Sequence, residues 1–406
     1  MIMLTLMEGS SLAAAAQVPR YAVGTSNTFS SISNYSEGLA RVSLAYDSTG
    51  FIDTAGRSAF SATFPYTGNF HSGRAFVRKT VDGKTKFGFI DKTGRVVIPC
   101  IYDEAEDFSC SRAAVNLDGV WRIIDTRGRT VMGDSVLVTE TRLANAPSGT
   151  DEWEDTEPPA YSDGLMQVRS AGKYGYADTS GKIVIPYRFY SCSPFHDGVA
   201  LAAADTVDGS AKYKGTGILE KIYNSLASGP PTYRWLLIDT LGRTVFRFPE
   251  TLSPDLSRTF HGGMLPVTDS LDRWGFINRE GEVVIKPVFA TEPTDFSDDV
   301  CLVQVNGHHG GNTDGCLLVI DSTGRQLSRI PFCQATGCMY DSNLTFHEGL
   351  MAVRIGQLWG YMDIHGSMII PPMFDKALDF YCHRAVVVTT EGKVAVIVNP
   401  LKNARP

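Results

Sequence analysis

KFGFIDKTGRVVIPCIYDEAEDFSCSRAAV (86–115) shares its layout with a second segment, KYGYADTSGKIVIPYRFYSCSPFHDGVALA (173–202). Each opens with a signature: an aromatic residue, usually a glycine, two apolar residues, Asp, two variable residues and Gly. The signature occurs eight times, at 49–56, 87–94, 121–128, 174–181, 235–242, 274–281, 317–324 and 359–366. The closing glycines follow one another at steps of 38, 34, 53, 61, 39, 43 and 42 residues. A period near 40 is typical of propellers, solenoids and arrays, so the chain is a tandem repeat protein.

The Asp and Gly of the signature have the chemistry of a tight turn. Asp fills its position in seven of the eight copies, Asn278 being the exception, and Gly follows three residues later in all eight. A short Asx side chain accepts hydrogen bonds from the backbone ahead of it, and Gly supplies a positive φ. We therefore assign a structural role in β-hairpin turns to these residues, represented by Asp91, Gly94, Asp178, Gly181, Asp363 and Gly366.

Strands are predicted on both sides of this turn. In the copy at 87–94, Gly88–Ile90 precedes the turn and Val96–Ile98 follows it. Both segments are apolar and rich in strand-forming residues. We expect the following strands to end at prolines, because Pro cannot donate to a ladder; these are Pro99, Pro186, Pro287 and Pro371. A third strand is predicted after glycine turns at 38–42, 164–168 and 349–353, and a shorter fourth at 102–108. Little room remains for helix, and the fold class is all-β.

Four of the five tryptophans share one repeat position: Trp121, Trp235, Trp274 and Trp359. A large apolar side chain recurring once per repeat is expected to pack between neighbouring units and form the structural core. The alternative is an exposed aromatic stripe on which a ligand stacks. Gly88, Gly175, Gly275 and Gly360 follow the aromatic residue and indicate close packing of backbone.

Histidines also share a position, in the pattern Phe-His-x-Gly: His71, His196, His261 and His347. Imidazole is a common metal ligand. However, other copies carry Ser here, and equivalent atoms of neighbouring repeats are expected to lie too far apart to share one ion at ~2 Å bonds. We expect hydrogen bonding within turns, no metal site and no cofactor.

These residues resemble those of the WG-repeat proteins of bacteria, which are named for a Trp-Gly pair. RWGFINREGEVVIKPVF (273–289) and LWGYMDIHGSMIIPPMF (358–374) match the family pattern closely, and looser copies extend the resemblance over about 29–398. Arg122, Leu236 and Leu318 depart from it at the Gly position, and Thr49 at the aromatic position. The resemblance implies β-structured binding or scaffolding modules and no established common activity.

The ends of the chain bear on how the repeats are arranged. TTEGKVAVIVNP (389–400) resembles a ninth copy, and 29–42 supplies the tail of a unit whose beginning is missing. Broken units at both ends favour a propeller-like ring, while an open twisted array is the alternative. We divide the chain into a signal-like N-terminal segment (1–28), a repeat domain of about eight units (29–398) and a C-terminal tail (399–406).

Composition restricts the partners. A net charge of −7 without a basic cluster disfavours nucleic acid, and no run approaches the ~20 apolar residues of a membrane span. Cys333 and Cys338 are close enough for a local disulfide. Most of the other cysteines are expected to be small buried residues at repeat positions, among them Cys110, Cys382, Cys301 and Cys192. The compartment stays open, with the cytoplasm slightly favoured over secretion or the envelope.

Two insertions break the period, at 133–160 and 205–232. The first surrounds Trp153 with carboxylates, including Glu154 and Asp155, and is either a solvated loop or a contact for a basic partner or a weak Ca²⁺ site. The second contains GILEKIYNSLASG (217–229), whose spacing predicts one short helix. A third loop, 306–315, carries His308 and His309.

No motif in the chain is typical of an enzyme, and three functions are compatible with the pattern. The first is a non-enzymatic scaffold that binds another protein through loops at one face, with Trp153, Glu154, Asp155, His308 and His309 as candidate contacts. The second is a propeller-type glycan-binding or glycan-processing protein. The third is a structural envelope component.

Overall fold

The computed structural model describes residue 29 and residues 31–45, 48–133, 160–207, 232–255, 258–305, 316–331 and 344–402. These residues form strands and turns, and within these ranges there is no helix, so none that could cross a bilayer. The predictions for the segment 1–28, for the helix at 217–229 and for the pair Cys333 and Cys338 lie outside the described residues.

All strand pairs are antiparallel, and they form eight small sheets. The first sheet contains β1 (Ser31–Ile32), β2 (Leu39–Ala45) and β3 (Ser48–Asp53). The second contains β4 (Tyr66–Thr67), β5 (Ala75–Val81), β6 (Lys84–Ile90) and β7 (Val96–Tyr102). The third contains β8 (Glu104–Ala105), β9 (Arg112–Leu117), β10 (Val120–Asp125) and β11 (Thr130–Gly133). The fourth contains β12 (Tyr161–Ser162), β13 (Leu165–Ser170), β14 (Lys173–Asp178) and β15 (Ile183–Phe189).

The second half of the chain repeats this layout. The fifth sheet contains β16 (Ser191–Cys192), β17 (Val199–Val207), β18 (Thr232–Asp239) and β19 (Thr244–Arg247). The sixth contains β20 (Leu252–Pro254), β21 (Met264–Asp269), β22 (Trp274–Asn278) and β23 (Val283–Phe289). The seventh contains β24 (Val300–Val305), β25 (Cys316–Asp321) and β26 (Gln326–Pro331). The eighth contains β27 (Leu350–Ile355), β28 (Leu358–Asp363), β29 (Met368–Ala377), β30 (Arg384–Thr389) and β31 (Val394–Val398).

The eighth sheet contains two hairpin units. β27, β28 and the first part of β29 form unit 8, while the last residues of β29 pair with β30, which pairs with β31, to form unit 9. The ninth copy predicted at 389–400 is therefore a hairpin of the ring. Units 1 to 7 correspond to the first seven sheets, and a complete unit has four strands in chain order, which we name a, b, c and d.

Hydrophobic clusters join each unit to the next and close the array. Nine buried clusters lie between consecutive units. One of them combines Ala40 and Ile52 of unit 1 with Val386 and Val396 of unit 9, so the first and last units are neighbours. The all-β fold is confirmed, with its sheets arranged as the blades of a closed β-propeller; of the two arrangements that the sequence left open, the ring is the one observed.

The ring has two different ends. In unit 3 the a–b connection and the Asp125 turn between c and d lie at one end, because Arg112 at the start of b is opposite Asp125 at the end of c. We call this the turn end. The b–c hairpins and the connections from d to the next unit lie at the other end, as the pairing of Arg122 with Gly133 shows, and we call it the hairpin end.

The Asp-x-x-Gly turns have the predicted chemistry. Asp91 Oδ1 accepts hydrogen bonds from the backbone N–H groups of Thr93 at 2.9 Å and Arg95 at 3.2 Å. Gly94 has a φ of +79° and donates its N–H to the Asp91 carbonyl at 2.9 Å. Asn278 makes the same two side-chain bonds, so an amide replaces the carboxylate without loss of the turn.

The prediction that the strand after the turn ends at a proline is wrong in four units. Four d strands continue past their prolines through a bulge: β7, β15, β23 and β29. In unit 2, Phe89 pairs with Ile98 and Phe87 pairs with Tyr102, so a step of two residues along strand c corresponds to a step of four along strand d. Pro is tolerated there because the bulge interrupts ladder pairing in an outer strand. The glycine after the aromatic residue fits against this bulge, since a Cβ at Gly88 would lie 2.5 Å from the Ile98 carbonyl oxygen.

This bulge makes the units alternate. Units 2, 4, 6 and 8 have the glycine and the proline bulge, whereas units 3, 5 and 7 carry Arg122, Leu236 and Leu318 at the glycine position. Both predicted insertions belong to the second kind of unit: one follows unit 3 and the other lies within unit 5. The departures from the repeat pattern therefore mark a second kind of blade.

Candidate functional site

The tight turns before the b strands meet one another at the inner edge of the ring. After the buried aromatic residue, successive units place Ser36, His71, Ser109, Ser162, His196, His261, Ser297, His347 and Tyr381. Serine hydroxyls at this position donate to a backbone carbonyl of the following unit: Ser36 to Phe70 at 2.6 Å, Ser297 to Phe346 at 2.6 Å. These bonds connect neighbouring blades.

The next position in the turn strengthens the same connection. Its carboxylates accept a hydrogen bond from a backbone N–H in the following turn, as Asp197 does from Gly263 at 2.7 Å and Asp298 from Gly349 at 2.6 Å. Cys110 and Cys382 occupy this position and are exposed, so their assignment as small buried residues is wrong. The reason is the left-handed turn, with φ near +51° at Cys110, which points the side chain away from the core.

The histidines of this row have polar partners. His261 Nε2 lies 3.1 Å from Thr259 Oγ1, and His347 Nε2 lies 3.0 Å from Thr345 Oγ1. Neighbouring units approach more closely than the sequence suggested, because the imidazole centroids of His196 and His261 are 5.6 Å apart. Within the described ranges, no three His, Cys, Asp or Glu side chains are grouped so that they could hold a metal ion.

Carboxylates from the following unit face three of these histidines. The distances from imidazole Nε2 to the carboxylate are 3.7 Å for His71 and Asp107, 3.8 Å for His261 and Asp295, and 3.8 Å for His347 and Asp379. Burial raises the pKa of Asp107 and of Asp379, and the neighbouring histidine opposes that rise in both. Burial and the proximity of His261 lower the pKa of His196.

A cleft of about 680 Å³ lies between units 8, 9 and 1. We call it the seam cleft, because it lies where the last unit meets the first. Its walls include Arg354, Gln357 and Trp359 of unit 8, Lys376 and Asp379 of unit 9, and Asn34 of unit 1. The hairpin of β27 and β28 places the first three at the hairpin end, whereas Lys376 lies in β29 and Asn34 and Asp379 follow β1 and β29.

The walls of the seam cleft combine an aromatic side chain with planar polar groups. Arg354 Nη2 donates to Gln357 Oε1 at 2.9 Å, which fixes two of these groups together. The Asn34 side chain hydrogen-bonds to Asp379 and lowers its pKa against the larger effect of burial. Asn34 Oδ1 is buried and has no hydrogen-bond donor among the described residues.

The candidate contacts Trp153, Glu154, Asp155, His308 and His309 lie outside the described residues. The repeat tryptophans Trp121, Trp235, Trp274 and Trp359 are partly buried, and three of them pack against inter-unit clusters. The residue two positions later on the same strand face is the one fully enclosed, for example Phe276 and Tyr361. Trp359 is the tryptophan that also lines the seam cleft.

Sequence reasoning did not find Asn34, Arg354 or Asp379. A signal was present, since the position before the buried aromatic residue holds a polar side chain in most units: Asn34, Asn69, Asp107, Thr259, Asp295, Thr345 and Asp379. Three of these side chains have a buried oxygen without a hydrogen-bond partner among the described residues, namely Asn34, Asn69 and Asp107. This recurring polar position marks the inner edge of the ring.

Comparison with known proteins supports the repeat assignment. The sequence model of the family described as "WG containing repeat" matches residues 50–84, 87–121, 174–203, 274–307 and 359–393. No curated protein matches the sequence significantly.

The solved structures that match the chain are distant in sequence, and their TM-scores are below 0.5. BamB from Moraxella catarrhalis is 14% identical, with 90% of each chain covered and a TM-score of 0.34. A eukaryotic initiation factor is 12% identical, with 92% of this chain and 93% of that chain covered and a TM-score of 0.46. The dihydro-heme d1 dehydrogenase NirN is 14% identical, with 75% and 66% covered and a TM-score of 0.36.

Proposed function

This chain is a WG-repeat protein, and we propose that it is a non-enzymatic scaffold that binds another protein through the hairpin end of its ring. The observation that carries the proposal is where the repeat is interrupted. Four long interruptions leave and re-enter the ring at the hairpin end, between Gly133 and Tyr161, Val207 and Thr232, Val305 and Cys316, and Pro331 and Leu344. Sequence variation on a repeated framework is therefore concentrated at one end, as in loop-based binding proteins.

The turn end has a different character, which supports the choice of the hairpin end. Its short turns are tied to one another by hydrogen bonds such as that from Gly198 N to Asp163 at 2.8 Å and from Gly73 N to Glu37 at 2.9 Å. Backbone groups and side chains that bond neighbouring blades are less available to a partner. We expect the turn end to hold the ring together while the hairpin end recognises the partner.

Buried thiols also favour binding over nucleophilic catalysis. Burial raises the pKa of Cys192 and of Cys301, the opposite of what an activated thiolate requires. The net charge of −7 favours a partner that is not a nucleic acid. The carboxylates around Trp153, including Glu154 and Asp155, would suit a basic protein surface.

Two leucines allow a matched test of this proposal. Leu271 in the β21–β22 hairpin and Leu241 in the turn after β18 are both 69% exposed, but they lie at opposite ends of the ring. A photo-cross-linking residue placed at Leu271 should capture a discrete partner in cells that make the protein, and the same residue at Leu241 should not. The purified partner should then bind the isolated protein, and replacement of Trp153, Glu154 and Asp155, or of His308 and His309, by Ala should weaken that binding. Equal capture from both positions, or capture from Leu241 alone, would contradict the proposal.

A further inference from the structure

The seam cleft lies where the last unit of the chain meets the first. Units 9 and 1 are neighbours in the closed ring and share a hydrophobic cluster. Asn34 of unit 1 and Asp379 of unit 9 meet at this junction, although 345 residues separate them in sequence.

The lining of the cleft has the components of a site for a polar ring compound. Trp359 offers an aromatic surface next to polar groups. Asn34, Gln357, Arg354 and Asp379 present planar groups that donate or accept hydrogen bonds in pairs. The volume of about 680 Å³ lies within the range of roughly 300–1,000 Å³ usual for small-molecule sites.

The lining of the cleft carries as many positive as negative side chains, so it does not favour a ligand of either charge. Arg354 and Lys376 contribute two positive groups, and Asp375 and Asp379 contribute two carboxylates. An anionic or cationic ligand would therefore meet a group of its own sign as well as a partner. A neutral ligand rich in hydroxyl groups avoids this conflict, because each hydroxyl both donates and accepts.

We propose that the seam cleft is a carbohydrate-binding site that takes a neutral pyranose unit. The apolar face of the sugar packs against Trp359, and its hydroxyls bond to Asp379 and Gln357. The cleft shares the hairpin end with the proposed protein-binding loops, but glycoside binding is measured without a partner protein, so failure of one proposal is distinguishable from failure of the other.

The repeats supply matched control variants for Trp359 and Asp379, two residues that line the cleft. Trp359→Leu and Asp379→Asn alter the site, whereas Trp274→Leu and Asp107→Asn make the same changes at the same repeat positions of units 6 and 3. Gln357→Ala is an additional variant at an exposed residue outside the core, and it keeps the test valid if Trp359→Leu fails to fold.

The measurement is ligand-observed NMR and calorimetric titration of the full chain with methyl β-D-glucopyranoside, methyl β-D-galactopyranoside and methyl N-acetyl-β-D-glucosaminide. We expect saturable binding of at least one glycoside, a loss of about tenfold or more in affinity for Asp379→Asn and Gln357→Ala, and unchanged affinity for both controls. No saturable binding of any glycoside would overturn the proposal. So would tighter binding of glucuronate or glycine than of every neutral glycoside, or equal losses in the cleft variants and their controls.

Discussion

Arg384 in unit 9 donates a hydrogen bond from Nε to the backbone carbonyl oxygen of Thr54 in unit 1, at 3.1 Å, across 330 residues of sequence. The same bond joins adjacent units elsewhere in the ring, from Arg74 to the Thr126 carbonyl at 2.9 Å and from Arg112 to the Thr179 carbonyl at 2.7 Å. The chain ends therefore meet through the interaction that joins units within the chain. In this respect the closure of the ring is an ordinary inter-unit interface.

Replacing Arg384 by Met tests whether the ring is closed in solution. The variant loses a hydrogen bond from a charged donor at the junction of the chain ends, and we expect the free energy of unfolding to fall by about 1.5–3 kcal/mol. Arg112→Met, which removes the equivalent bond between units 3 and 4, should cost about the same. Urea unfolding followed by tryptophan fluorescence measures both. If Arg112→Met destabilises the protein and Arg384→Met does not, the first and last units are not in contact in solution.

Gly360 provides a test of the bulge. A Cβ at this position would lie 2.5 Å from the Ile370 carbonyl oxygen, whereas a Cβ at Gly50, the equivalent position of unit 1, would meet only Leu44 Cδ1 at 3.5 Å. Gly360→Ala should therefore destabilise the protein by about 1–3 kcal/mol, since backbone must move to admit the methyl group. Gly50→Ala should leave the thermal midpoint nearly unchanged. Similar losses for the two variants would mean that close approach of the d-strand backbone does not cause the glycine preference.

Much of the fold could be predicted because its determinants are local. The Asp91 turn is made by residues four apart, and the strand that begins after Gly349 follows from a glycine turn and an alternating pattern. The end of a strand at Pro99 could not be judged locally, because it depends on whether the proline lies in an inner ladder or an outer bulge. That distinction exists only after the units have been placed side by side.

The candidate site was less accessible to sequence reasoning for a related reason. Asn34 and Asp379 become neighbours only when the ring closes, and no local pattern fixes which units flank the closure. Trp359 was recognised as a repeat position, but the property that sets it apart from Trp274 is the cleft beside it. The repeat pattern predicts the features that all units share, but the cleft depends on features in which unit 8 and its neighbours differ from the other units.

Acid should weaken the turn at Asp321. A hydrogen bond from Thr323, supported by bonds from Arg325, lowers the pKa of Asp321 from 3.8 to about 2. A carboxyl whose pKa is depressed on folding contributes stability above its unfolded pKa, and that contribution is lost as the pH falls from about 4 towards 2. Asp321→Asn should therefore reduce stability at pH 7 and flatten the dependence on pH in this window. Asn278→Asp should not reproduce this dependence, because its turn has Glu280 and Glu282 where the Asp321 turn has Thr323 and Arg325, and the new carboxylate would face that of Glu282.

For Asp321→Asn and Asn278→Asp, the informative measurement is how the urea midpoint changes with pH, and not its value at one pH. Urea midpoints measured between pH 2 and pH 7 separate loss of the turn, which shifts all values, from loss of titration, which changes the slope. Parallel curves for the wild type and Asp321→Asn would show that this carboxylate does not contribute to acid sensitivity.

A substitution at Cys110 should stabilise the protein, because this position forms hydrogen bonds between the turns of neighbouring units elsewhere in the ring. It lies in a left-handed turn with a φ of +51°, at the position where Asp163 accepts a hydrogen bond from the next turn at 2.8 Å. Cys110→Asp should bond to the Gly164 N–H in the same way, and Asp tolerates the left-handed conformation better than most residues. We expect a gain of about 0.5–1.5 kcal/mol from the new hydrogen bond, measured by urea unfolding at pH 7. Cys110→Ala removes the thiol without adding an acceptor and is the control. An Asp variant no more stable than the Ala variant would show that the contact between turns does not stabilise the ring.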